Sequence, residues 1–331
     1  MLLRHPARER AGRLGLIPEE RWALVARVDF GACVLFGEDG ALFAATVRGR
    51  LMGRRKALGN AVVVGDEVRL EAGRERAVVD EVRPRRNAFS RRAAGEPAAE
   101  QVVAANLDQV VLVASLAQPE FAPGLADRVL AQAEHAGIPA RLVLNKTDLG
   151  PPGRARALLR EYERAGVSCH AACAVRGEGV EALRHALHGR RSLFVGHSGV
   201  GKSTLLNALV PGLDLLEGEV NARTGKGRHT TTAAVLVRPA PGLELIDTPG
   251  VRAFGLWGVG SRDLEQAYVE FRRFLGECRV ADCRHVAEPG CALRAAVEAD
   301  EVSRLRFASF LRLREELEEE ERLAEARARR G

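Results

Sequence analysis

Three short runs in this 331-residue chain have the residue types and spacing to hold a nucleotide. The first is Gly196-His197-Ser198-Gly199-Val200-Gly201-Lys202-Ser203-Thr204, which fits G-x-x-x-x-G-K-[ST]. An apolar strand is expected before it at 191–195, and a helix is expected to open at 202, with Leu205, Leu206 and Leu209 on one face. A glycine turn between strand and helix aims backbone N–H groups at a phosphate, and the helix dipole adds to the attraction. In this pattern Lys202 reaches the β- and γ-phosphates and the Ser203 hydroxyl ligates Mg²⁺.

The second run, Asn145-Lys146-Thr147-Asp148, fits N-K-x-D and chooses the base. A carboxylate at Asp148 accepts from guanine N1–H and from its 2-amino group. Adenine lacks both donors and would leave a buried carboxylate unpaired, so GTP is expected over ATP. The Lys146 stem would lie over the base, and Asn145 would tether the loop. Cys173-Ala174 stands where a guanine-binding S-A-x-x-G-x-G loop belongs, so the Ala174 amide is a candidate donor to guanine O6. Cysteine replaces the usual serine, and a plain strand–helix turn is the alternative reading.

The third run, Asp247-Thr248-Pro249-Gly250, fits D-x-x-G: Asp247 would hold Mg²⁺ through water and the Gly250 amide would meet the γ-phosphate. Ras-like enzymes place a water-orienting glutamine after this glycine, whereas here Val251 follows, which cannot orient water. His229 in Arg228-His229-Thr230-Thr231-Thr232 is the candidate for that task, because imidazole can position water near neutral pH. A structural or RNA-contacting histidine is the competing reading. Thr231 is chosen as the further Mg²⁺ ligand, with Thr230 and Thr232 open.

A fourth constellation has a different chemistry. Cys278-x4-Cys283-x-His285-x5-Cys291 offers three thiolates and one imidazole, a closed tetrahedral set that suits structural Zn²⁺.

The order of the nucleotide motifs is unusual, because N-K-x-D precedes the P-loop and D-x-x-G follows it. That is a circular permutation whose cut falls after Asp247 onward, so the switch runs directly into the C-terminal segment. The surrounding elements follow from periodicity. Short β-like runs at 23–30, 32–36, 41–46, 67–71 and 77–82, punctuated by glycine, argue a small OB-fold barrel. Its loop Arg48-Gly49-Arg50-Leu51-Met52-Gly53-Arg54-Arg55-Lys56 has no acid, which makes Arg48, Arg50, Arg54, Arg55 and Lys56 candidate RNA contacts. From 106 strands and helices alternate, as in a doubly wound parallel sheet with ligands at the strand C-terminal ends. The expected division is a basic tail at 1–21, an OB-fold at 22–85, a linker at 86–105, a permuted GTPase domain at 106–257 and a mainly α-helical zinc-binding domain at 258–331.

Composition sets the outer limits. Net charge is +6, with 50 basic against 44 acidic side chains, which suits a polyanionic partner. Lysine is scarce: Lys56, Lys146, Lys202 and Lys226 are the four, and two of them stand in nucleotide motifs. No apolar run approaches membrane-spanning length and the first residues lack a signal-like apolar stretch, so a cytoplasmic protein off the membrane is expected. Six cysteines, three of them clustered, favour a metal site plus free thiols over disulfides.

Taken together, N-K-T-D, G-H-S-G-V-G-K-S, D-T-P-G, the G-R-H-T-T-T segment and the cysteine cluster with Glu288-Pro289-Gly290-Cys291 resemble the RsgA (YjeQ) family of circularly permuted GTPases. The resemblance spans nearly the full length. It implies a late-acting assembly factor of the small (30S) ribosomal subunit, with GTP hydrolysis stimulated by that subunit. It also implies rRNA contact through the OB and zinc domains, and a catalytic role for His229. GTP and GDP are then the ligands and Mg²⁺ and Zn²⁺ the cofactors, and a monomer is expected off the ribosome. Two other readings compete: an RNA-binding assembly protein with GTP as a static ligand, which Val251 favours, and a P-loop kinase or ATPase, which Asp148 opposes.

Overall fold

A computed structural model describes residues 21–29, 32–37, 39–51, 61–71, 77–93, 98–212, 234–250 and 254–329. His229, Thr230, Thr231, Thr232, Val251, Arg54, Arg55, Lys56 and the 1–20 segment lie outside the described residues.

Five strands close a barrel: β1 (Arg21–Asp29), β2 (Ala32–Phe36), β3 (Leu42–Val47), β4 (Glu67–Glu71) and β5 (Ala77–Val82). The pairing runs β1–β2–β3–β5–β4 and returns to β1, with β3–β5 the parallel contact. Inward residues Val25, Cys33, Leu35, Val68 and Val79 fill the interior, as period-two alternation requires. A register shift between Val25 and Arg27 bends β1, which goes on pairing with β2 as far as Asp29 while Arg27 also pairs with Val235.

The 86–105 stretch, expected as a linker, is an antiparallel hairpin of β6 (Ala88–Arg92) and β7 (Glu100–Ala105). Phe89, Ala104 and Ala105 are fully buried, and the Ala105 amide donates to the Val64 carbonyl of the barrel. The Ala-, Arg- and Gly-rich composition conceals this strand pair, because tertiary packing rather than intrinsic β-propensity stabilises it.

The central sheet comprises β8 (Gln109–Ser115), β9 (Ala140–Asn145), β10 (Ser168–Ala171), β11 (Arg190–Gly196), β12 (Val235–Ala240) and β13 (Leu243–Asp247). Its order is β10-β9-β8-β11-β13-β12, parallel except for the β12–β13 hairpin. The β8 run Val110-Val111-Leu112-Val113 is buried on both faces. Val110 and Leu112 pack toward α1 (Pro123–His135) and α2 (Arg154–Glu163), and Val111 and Val113 toward α3 (Val180–Leu187) and α4 (Lys202–Leu209).

After Gly258 the chain makes 3-10 turns at Leu264–Ala267 and Val269–Phe274, then α5 (Ala292–Glu298) and α6 (Arg304–Ala328). Helix is thus partly of the tighter kind, and the cysteine cluster sits in the loop ahead of α5. Tyr268, Phe271 and Phe310 form an aromatic core for this segment. Arg306 of α6 is buried where its guanidinium donates to Asp127 Oδ1 of α1 (2.6 Å) and to Glu270. A buried guanidinium without such partners would cost several kcal/mol, on the order of 3–5, so these two contacts fix how α6 sits against α1. No helix among the described residues is long and apolar enough to cross a membrane.

Candidate nucleotide site and metal cluster

The three nucleotide runs meet at the C-terminal ends of β8, β9, β11 and β13. Gly196 ends β11 and Lys202 opens α4. Between them Gly201 has φ +84°, and a Cβ there would lie 2.5 Å from Asn145 Nδ2. Glycine is therefore required where the second run reaches over the first. Asn145 donates from Nδ2 to the carbonyls of Val200 (3.0 Å) and Gly201 (3.3 Å). The Lys146 ammonium donates to the Gly199 carbonyl (2.6 Å) and to that of Gln118. Both residues tether the P-loop to the base-side loop, as expected of Asn145 and additionally for Lys146.

The base-side loop is cross-linked to the turn after β10 at three points. Asn145 Oδ1 accepts from the Ala174 amide (3.1 Å), and Thr147 Oγ1 donates to the Ala172 carbonyl (3.1 Å). Asp148 Oδ1 accepts from Cys173 Sγ (3.2 Å). Cys173 is fully buried, and its amide and carbonyl close the turn through Glu178 and Arg176. The Ala174 amide, expected to be open for a guanine O6, is engaged by Asn145, so any donation to a base would be shared.

On the phosphate side, Lys202 is buried and ion-paired with Asp247 Oδ1. The Lys202 ammonium thus rests on the carboxylate expected to hold Mg²⁺. Thr248 Oγ1 donates to the Phe194 carbonyl (2.7 Å), which fixes the strand end. Gly250 lies against the P-loop: a Cβ on it would be 2.9 Å from Ser198 Cα. His197 Nδ1–H donates to the Ser198 carbonyl (2.7 Å), and Ser203 and Thr204 begin the first turn of α4. The glycine loop, the two tethers and the D-x-x-G turn lie side by side, an arrangement that suits a phosphate at the opening of α4.

The second site is the cluster of Cys278, Cys283, His285 and Cys291, whose ligand atoms all lie within 4.8 Å of one another. His285 Nδ1 is 3.2 Å from Cys291 Sγ and 3.6 Å from Cys278 Sγ. Those separations fit four ligands on one tetrahedral ion with Zn–S near 2.3 Å. Two residues that sequence reasoning gave no role support it. Glu265 Oε2 faces His285 Nε2 (3.1 Å) and orients the ring. Glu288 accepts from the amides of Arg284 (2.9 Å), Val286 (2.9 Å) and Ala287 (3.0 Å), which wraps the loop carrying His285. The only signal for Glu288 was its place in the Glu288-Pro289-Gly290-Cys291 run; Glu265 had none, being distant in sequence.

Arg48 and Arg50, candidates for RNA contact, both bind the buried Asp80 (2.8 and 2.7 Å), which Arg69 also reaches (3.0 Å). Arg48 additionally pairs with Glu71. The first part of the basic loop is therefore neutralised within the barrel.

A P-loop, an N-K-x-D loop and a D-x-x-G turn at the ends of one parallel sheet, in rotated order, define a circularly permuted GTPase-type nucleotide-binding protein. The RsgA GTPase family model matches residues 82–257. The small ribosomal subunit biogenesis GTPase RsgA of Gemmatimonas aurantiaca is 43% identical over 292 residues, covering 87% of this chain and 94% of its own length. The chain belongs to the RsgA GTPase family. The RsgA protein of Bacteroides fragilis is 39% identical over 85% of this chain and 92% of its own. Among solved structures, YjeQ from Thermotoga maritima superposes with a TM-score of 0.70 at 29% identity, covering 90% of this chain and 98% of that one. YloQ, described as a circularly permuted GTPase, shares the fold at TM-score 0.68 and 22% identity, over 93% of this chain and 99% of that one.

Proposed function

We propose that this chain binds GTP with Mg²⁺, hydrolyses it, and serves in assembly of the small ribosomal subunit, the role named for its relatives. The observation that carries the nucleotide assignment is the triple cross-link of 145–148 to 172–174 beside the P-loop. It holds the 145–148 loop against the 172–174 turn, which supports reading the Asp148 carboxylate as the acceptor for a guanine N1–H and 2-amino group. Gly196 through Thr204 cradle the phosphates, Lys202 turns from Asp247 to them, and Gly250 supports the γ-phosphate. Ser203, Asp247 and Thr231 are assigned to Mg²⁺, which supplies charge neutralisation on the phosphates. His229 is assigned to orient the attacking water, a task that Val251 cannot perform.

The barrel, with strand order β1-β2-β3-β5-β4, is read as an OB-fold covering 22–85. The GTPase unit is read as 106–257, doubly wound, and the C-terminal unit as 258–331, with Cys278, Cys283, His285 and Cys291 holding one structural Zn²⁺. RNA contact is assigned to Arg54, Arg55 and Lys56, with Arg48 and Arg50 shaping the loop through Asp80. The protein works as a monomer in the cytoplasm, where its ribosomal partner is built.

The test is GTP turnover with and without purified small subunits, joined to cosedimentation in GTP, GDP and a non-hydrolysable analogue. Subunits are expected to raise turnover, and His229→Ala is expected to remove that rise while leaving GTP binding intact. Binding without any stimulated turnover would favour the second reading, in which GTP is a static ligand of an RNA-binding protein; Val251 is the observation behind it.

A further inference from the structure

We infer that a cavity between the barrel, the β6–β7 hairpin and the D-x-x-G turn binds a small amphipathic carboxylate, its apolar body among valines and phenylalanines and its anion on Arg91. The cavity holds about 330 Å³, within the range of small-molecule sites. Val63 lines it from the barrel side, Phe89 and Val103 from the hairpin, and Val195 from β11. Thr248, Pro249 and Gly250 make up part of the wall. Phe89 and Arg91 share one face of β6, as period-two alternation requires, so the same strand brings an apolar ring and a cation to this space.

Arg91 is the one charged side chain on the wall, and no carboxylate lines it. Its Nε donates to Gln101 Oε1 (2.9 Å), its one hydrogen bond among the described residues, which leaves both Nη groups without an acceptor. Elsewhere a guanidinium withdrawn from water meets an acid: Arg85 meets Asp66, Arg191 meets Glu244 and Arg306 meets Asp127. Arg91 is half-buried without one, and that burial pulls it below its ordinary value. An end-on carboxylate would take both Nη groups in parallel. A phosphate dianion would bring a second charge into a wall with no second cation, so the match is to a monoanion. The Thr248 hydroxyl is engaged by the Phe194 carbonyl and does not compete for the anion. An occupant would also rest on the turn assigned to the γ-phosphate, so carboxylate and nucleotide alter each other's affinity; that coupling, unlike the site, rests on the nucleotide reading.

The probes are octanoate and 1-octanol, titrated by calorimetry into the full chain. Octanoate is expected to bind, with octanol about tenfold weaker for want of the charged hydrogen bonds. From butanoate upward, affinity should rise about fourfold per methylene and stop rising once the chain fills the cavity. Arg91→Met should reverse the order, so that octanol binds better than octanoate. Arg91→Lys keeps the charge without the fork and should keep the order with weaker binding. Val103→Phe, which fills the cavity, should remove both ligands while GDP affinity stays within about twofold.

No octanoate binding by the parent chain up to the onset of micelle formation would overturn the inference. So would equal octanoate affinity in the parent and Arg91→Met, or an affinity that climbs through dodecanoate without a plateau, the behaviour of surface adsorption. Octanoate titrated with and without saturating GDP reads the coupling: its affinity should change by about fivefold, and GDP affinity by the same factor when octanoate is present. Equal octanoate affinities in the two states would defeat the coupling, whereas a chain that binds octanoate but no GDP would defeat the nucleotide reading and leave the site standing.

Discussion

The nucleotide site and the cysteine cluster are built on opposite principles. In the nucleotide site the residues that shape the cradle are bonded to one another: Asn145 to Val200 and Ala174, Lys146 to Gly199, Asp148 to Cys173, Lys202 to Asp247. In the cluster the four ligand atoms converge on a common point, and the loop is held from outside by Glu265 and Glu288. The first arrangement draws its shape from its own hydrogen bonds. The second is a donor set whose thiols need a cation to lie together as thiolates. Nucleotide binding should therefore be an exchange of partners on a formed surface, and metal binding should be coupled to the order of its loop.

The sharpest way to break this contrast is to remove a metal ligand. Cys283→Ser is expected to lower Zn²⁺ affinity by more than about a hundredfold, beyond the range typical of supporting residues. Amide-exchange protection should fall in the 278–291 loop, while GDP affinity stays within about twofold, as for distant uncoupled sites. A parallel loss of nucleotide affinity would show that the two sites share their stability.

A smaller effect should come from the outer support. Glu288 is pulled down to about 2 by its own backbone amide and those of Arg284, Ala287 and Val286, so it is a carboxylate at any pH where the metal binds. Glu288→Gln keeps the shape but weakens those bonds, and a chelator competition should report about tenfold weaker Zn²⁺ binding. An unchanged constant would mean that the loop needs no help beyond its ligands.

The smallest effect concerns the barrel, where charge is again satisfied internally. Burial alone would raise the Asp80 carboxyl, but Arg48 and Arg50 beside it, with Arg69, hold it below its ordinary value. A lowered carboxyl contributes stability that is complete above its unfolded value of about 3.9 and is lost as pH falls toward its folded value. Asp80→Asn should flatten that acid limb of the barrel's unfolding curve. It should also leave Arg50 without its carboxylate partner, while Arg48 keeps Glu71 and Arg69 keeps Glu81, and raise low-salt affinity for single-stranded RNA by about two- to threefold, a modest gain because exposed charges are screened. Weaker RNA binding instead would show that Arg48 and Arg50 act by holding the loop in shape.

Legibility in the sequence followed locality. The P-loop, N-K-T-D, D-T-P-G and the cysteine spacing could be read because each motif is a contiguous run whose chemistry dictates its residue types. The barrel strands could be read because alternation and glycine turns are local signals, and the structure closes them with little change of boundary. The β6–β7 hairpin was hidden because the stretch around it is rich in Ala, Arg and Gly, and its order comes from packing with Val64 and Phe254. Asp80 and Glu265 were equally hidden, since each meets its partner across the fold: Asp80 with Arg48, Glu265 with His285.

The sequence by itself determined the chemistry on offer: a glycine loop ahead of a helix, the carboxylate of N-K-T-D, a thiol–imidazole set with metal-ligand spacing, and the rotated order that joins D-T-P-G directly to the C-terminal segment. Spacing along a chain is enough for this, because a turn or a helix end is made by neighbouring residues. Only the tertiary structure decided which charges remain for a partner and which are spent inside. It placed Arg48 and Arg50 on Asp80, set Lys202 on Asp247, and brought the Cys173 thiol to Asp148 Oδ1. Pairing of this kind depends on distance in space and on burial, and neither is written in the order of residues.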